Sequence, residues 1–136
     1  MVKNCSKEGW ISFILRLSMV SLMGNAALGK IMMGPDKVVT MFTGMFKDTY
    51  LPGPLVAGYA WSITWMEALI AVWLLLGIRL KEGWVFTALT IISLAFGLTV
   101  TKSPNVADLY VYLLVACAGL YFSSYDECNL LKCCKK

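Results

Sequence analysis

Histidine is absent from the 136 residues, and charge is scarce, with Asp, Glu, Lys and Arg making up 15% of the chain. The first absence removes His-ligated haem, His-based zinc sites and histidine general-base chemistry from anything this chain does alone. A haem or catalytic metal is therefore expected on a partner. The shortage of charge stands beside an apolar share of 59% and a mean hydropathy of +0.71. A soluble domain has about 45–50% apolar and about 25% charged residues, so both deviations point to a membrane protein. The chain is too short for a soluble domain beside a membrane domain, and 1–136 is expected to be a single integral membrane domain. The net charge of +4 is small, and the basic residues gather at segment ends. That pattern speaks of topology and lipid contact, not of a nucleic-acid surface.

Four apolar segments are long enough to cross about 30 Å of hydrocarbon at 1.5 Å per residue. They fall at about 10–33, 55–77, 84–100 and 108–123. The fold class is therefore an all-α membrane protein, a four-transmembrane-helix bundle. The basic N-terminus before an apolar run has the outline of a signal peptide, but Arg16, Asn25 and Lys30 interrupt the run and no small-residue cleavage site follows. It reads as a retained first span. Lys81-Glu82-Gly83 is expected to form a tight inner turn and Lys102-Ser103-Pro104-Asn105 an outer one, where Pro104 cannot continue the helix. Gly34 to Pro54 differs. Asp36 can cap a short helix through Val38, Val39, Phe42 and Phe46, which recur at helical spacing. An amphipathic or re-entrant segment lying on the bundle mouth is expected there.

Four spans leave both termini on one side. That side carries Lys3, Lys7, Arg79, Lys81, Lys132, Lys135 and Lys136, against Lys30, Lys37, Lys47 and Lys102 on the other. Seven against four predicts a cytoplasmic (inner) membrane location with both termini cytoplasmic.

The chemistry concentrates in a few polar residues inside apolar runs. Glu67 lies among Trp65, Met66, Ala68, Leu69 and Ile70, and Arg16 lies within the first run. A charge at a helix centre costs roughly 2.5 to 3.5 kcal/mol on insertion scales, so such groups have a partner or a function. Arg16, Val20, Met23, Ala27 and Lys30 share one stripe of the first helix; Thr64, Glu67 and Ala71 share one of the second. An Arg16–Glu67 pair across the two helices is expected, with the backbone levels about 6–8 Å apart. Glu67 then acts as a strut between helices or handles a proton or ligand. Arg16 alternatively snorkels to the inner interface, and Lys30 snorkels to the outer interface or contacts an anionic ligand or quinone headgroup. Trp61, Trp65 and Trp73 line a pocket with Glu67 or face lipid, and Thr64 and Met23 are further candidates for its lining. Trp10, Trp84, Tyr50, Tyr110, Tyr112, Tyr121 and Tyr125 read as interfacial aromatic belts. Small residues on the third and fourth spans, such as Thr87, Thr90, Ala116 and Gly119, suit close helix packing.

Of the five cysteines, Cys117 reads as packing inside a span, while Cys5, Cys128, Cys133 and Cys134 read as reduced surface thiols. Two Met-x3-Met pairs, Met19/Met23 and Met41/Met45, admit copper handling as a minor alternative to ordinary filler.

The chain resembles the DoxX-like membrane proteins, which include the DoxD-type subunit of thiosulfate:quinone oxidoreductase. The likeness rests on Arg16-Leu17 opening the first helix, Gly29-Lys30 closing it, Leu51-Pro52 before Leu55, Glu67 in mid-helix, and the run from Trp73 to Arg79. It implies a four-helix bundle within a redox or respiratory assembly that exchanges electrons with membrane quinones, and it makes Arg16, Lys30 and Glu67 the polar site positions. The resulting expectation is a quinone-binding membrane component, an uncertain enzyme, with lipid and other membrane redox subunits as partners and no nucleic acid. The non-enzymatic alternative is an anchoring or assembly subunit.

Overall fold

The computed structural model describes residues 7–125. Those residues form α1 (Lys7–Met33), α2 (Pro35–Met45), α3 (Gly53–Leu76), α4 (Leu80–Val100), α5 (Val106–Phe122) and a closing 3-10 turn (Ser123–Tyr125). Helices α1, α3 and α4, and α5 continued through the turn, are long and apolar enough to cross a membrane. The 24 residues of α3 span about 36 Å and the 21 of α4 about 31 Å, against a hydrocarbon core of about 30 Å. The expected four-helix membrane protein is the architecture observed.

The turn between α3 and α4 is not where the charge pattern puts it. Lys81, Glu82 and Gly83 lie inside α4, and the reversal is made by Gly77 and Arg79, both at positive φ (71° and 47°). Gly77 ends α3 because a left-handed residue there returns its N–H to the Trp73 carbonyl. Glu82 then falls in the first turn of α4, where the helix dipole favours an acid, and it pairs with Arg79. Gly83 serves packing: a Cβ on it would lie 3.3 Å from Leu74 Cδ2. Gly77→Ala forces an L side chain into the left-handed region. It is expected to cost about 1 kcal/mol and to lower the melting temperature in detergent, read by circular dichroism. An unchanged melting temperature would show that the turn relaxes to another conformation.

The segment after α1 is helical, as expected, and it packs along α3. Gly34 (φ 92°) and Pro35 break the first helix, and α2 then runs along α3. Val38 is buried beside Ala60 and Thr64, Phe42 meets Tyr59 with ring centroids 6.4 Å apart, and Phe46, just past the helix end, reaches Gly97 of α4.

The core gathers Met19 and Met23 of α1, Ile70, Ala71 and Leu74 of α3, Trp84 and Ile91 of α4, and Ala116 of α5. Trp84 is no belt residue. It is fully buried against Gly119, and its indole N–H has no acceptor among the described residues. Thr87 and Thr90 are buried too, each hydroxyl donating to the carbonyl four residues back. Cys117 is exposed on α5 and so faces outward instead of packing inside. The other four cysteines lie outside the described residues.

Candidate functional site

The break at Gly34 places the last turn of α1 beside the middle of α3. Gly34 N–H closes on the Lys30 and Ile31 carbonyls, so Lys30 is held on the final turn before the chain changes direction. Its ammonium donates to both oxygens of Glu67, Nζ to Oε1 at 2.5 Å and to Oε2 at 2.6 Å. The Glu67 side chain is 3% exposed and the Lys30 side chain 17%. Both partners belong to apolar runs, and neither is stable there without the other.

Helix register explains why the acid meets Lys30 and not Arg16. Gly24 of α1 lies against Ala71 of α3, where a Cβ would be 3.8 Å from the alanine methyl. Counting along the antiparallel helices from that contact, Glu67 and Lys30 climb in the same direction and end within about 3 Å of one level. Arg16 lies the other way, about 18 Å below Glu67 along the axis. The expected Arg16–Glu67 pair is therefore corrected: Glu67 pairs with Lys30, and Arg16 is buried nearer the other end of α1. The Arg16 guanidinium sits over the Phe13 ring, 5.4 Å from its centroid, and is 3% exposed.

A small recess of about 110 Å³ lies between α1, α2 and α3. Lys30 and Ile31 border it from α1, Pro35 and Val38 from α2, and Ala60, Trp61, Thr64 and Trp65 from α3. Lys30 faces this space, and Glu67 stands behind it. An ammonium has three donors; the carboxylate occupies two, which leaves one for a guest. Thr64 turns its hydroxyl back to the Ala60 carbonyl at 3.3 Å. Trp61 and Trp65, with ring centroids 6.3 Å apart, form the lipid-side rim and are more than half exposed. The recess holds a few water molecules or one small headgroup, since a bulk water takes about 30 Å³ and a pocket for a whole drug-sized ligand about 300 Å³ or more.

Trp61, Thr64 and Trp65 thus border the recess with Lys30, as the sequence suggests. Met23 does not: it is 3% exposed in the core, as is its neighbour Met19 at 1%. Met41 and Met45 are exposed on α2 instead. The sequence reading missed Pro35, Val38 and Ala60. The signal for them was Gly34-Pro35, a helix breaker directly after Lys30. Among the described residues no group of three or more His, Cys, Asp or Glu side chains converges to hold a metal.

The family model described as methylamine utilisation protein MauE matches residues 8–105, from the start of α1 to the residue before α5. The chain belongs to the MauE family. This corrects the DoxX-like resemblance. The features that carried the likeness have local jobs that many bundles share: Pro52 precedes α3, Gly77 closes it, and Gly29-Lys30 belongs to the end of α1. No curated protein and no solved structure matches the chain. The Lys30–Glu67 pair and every residue of its recess lie within the MauE match.

Proposed function

We propose that this MauE-family protein is a multi-pass component of a redox system in the cytoplasmic membrane, with both termini cytoplasmic, and that its recess takes the headgroup of a membrane quinone. The observation that carries the reading is Lys30, a charged donor pinned by a buried carboxylate and turned into an apolar recess of headgroup size. A quinone carbonyl accepts the spare N–H of Lys30. Its ring packs beside Trp61 and Trp65, and its isoprenoid tail leaves past that rim into lipid. Glu67 keeps the ammonium charged and aimed, which makes it a positioning residue. When the bound quinone is reduced, each carbonyl oxygen gains a proton, and Lys30 stands where one proton is delivered. The electrons come from a partner, because no redox-active group is evident in the recess itself. The family description, methylamine utilisation, fits such a system, since using the amine carbon withdraws electrons from it.

The test is quenching of tryptophan fluorescence by short-chain benzoquinone and naphthoquinone in the purified protein. Lys30→Met is expected to weaken binding about ten- to a hundredfold, the worth of a hydrogen bond to a charged group. Lys30→Arg should recover part of the loss. Equal affinity in wild type and Lys30→Met overturns the assignment, and so does a wild type that binds neither quinone.

A further inference from the structure

Helix α1 carries a second polar face. Ser18, Ser21 and Asn25 are exposed and border a groove of about 460 Å³ between α1 and α5, shared with Leu22, Tyr112 and Val115. Ser18 satisfies its hydroxyl within the helix, donating to the Ile14 carbonyl at 2.9 Å. The Ser21 hydroxyl and the Asn25 amide have no hydrogen-bond partner among the described residues.

On a soluble helix this would mean little. Here Asn25 adjoins Gly24, which lies level with Ala71, and Ala71 is about 9 Å up α3 from the turn at Gly77. The amide is therefore within the hydrocarbon, where no water satisfies it and a neighbouring helix must. The surrounding residues suit close approach. Ser21, Asn25 and Gly29 recur every four residues on one stripe, and nothing lies within 4 Å of where a Gly29 Cβ would stand. Ser21 and Gly29, the small residues on either side of Asn25, let a second membrane helix come close enough for its side chain to reach the amide.

We propose that this face is the interface with a second copy of the chain, α1 packed on α1 about a twofold axis beside Asn25. The self-complementarity of the amide selects that occupant. A carboxamide both donates and accepts, so two Asn25 side chains related by a twofold axis satisfy each other. No charged side chain borders the groove to call for an opposite charge on a different partner. The inference stands apart from the quinone reading, since the recess and this groove use different faces of α1.

The experiment is the oligomeric state of the full chain across a dilution series in lipid nanodiscs and mild detergent, by native mass spectrometry. Wild type is expected as a dimer. Asn25→Leu should weaken dimerisation about tenfold, and Gly29→Leu comparably, with Asn25→Gln close to wild type. Val111→Leu, at an exposed site of α5, should change nothing. Both disruptive variants leave the core untouched, so helical content by circular dichroism should match wild type and confirm folding. A wild type that is monomeric throughout, a dimer indifferent to Asn25→Leu, or a different membrane protein cross-linked at position 25 in place of a second copy overturns the proposal.

Discussion

Lys30→Met is expected to destabilise the folded bundle by about 3 kcal/mol, because it strands the Glu67 carboxylate at a site that is 3% exposed. Glu67→Gln should cost less. It leaves an amide oxygen to accept from Lys30, and the lysine, more exposed at 17% and on a flexible stem, reaches water more easily than the acid does. The double variant Lys30→Met with Glu67→Leu should recover most of the loss, since an apolar pair of similar volume leaves no ion behind. Reversible unfolding in mixed detergent micelles, followed by circular dichroism, supplies these free energies, and Glu67→Leu alone closes the cycle that gives the coupling between the sites. Additive single and double variants would mean that the two side chains do not interact. The same variants separate structure from binding: the double variant should fold and still bind quinone about ten- to a hundredfold more weakly.

Gly119→Val should be about as damaging. A Cβ at position 119 would overlap the indole of Trp84, which is fully buried. Overpacking of this kind costs about 1–3 kcal/mol and occasionally more, and a rigid ring flanked by α4 and α5 belongs at the upper end. Trp84→Leu alone opens a cavity and is also harmful. Together the two changes should be less harmful than the sum of each, because the shortened side chain makes room for the new methyls. Gly119→Val with wild-type stability in the same unfolding assay would show that the Trp84 ring is free to turn aside. Trp84→Phe should be mild for its size, since it removes an N–H that has no acceptor among the described residues.

The bundle was legible in the sequence because length and apolarity alone decide what crosses a bilayer. Where punctuation was misread, the cause was a residue with two possible jobs. Gly83 looked like a turn glycine beside two charges, yet it thins α4 against Leu74, while Gly77 does the turning. Trp84 looked interfacial because it follows Lys81 and Glu82, but α4 begins at Leu80 and the ring points inward. Glu67 and Lys30 were each recognisable as costly ions. Their pairing was not, because the register between α1 and α3 is set by the contact of Gly24 with Ala71, a fact no single helix carries. The recess was hidden for a related reason. It exists only because α2 turns at Gly34 and lays Val38 beside Ala60.

The two ions of the central pair are separated by 37 positions in the chain. At a synthesis rate of about 5–20 residues per second, Lys30 leaves the ribosome about 2–7 s before Glu67. The first helix must therefore be inserted while the acid that will neutralise it is still unmade. Until α3 arrives, the Lys30 ammonium is expected to snorkel to the headgroups, and α1 to take its final depth once Glu67 stands beside it.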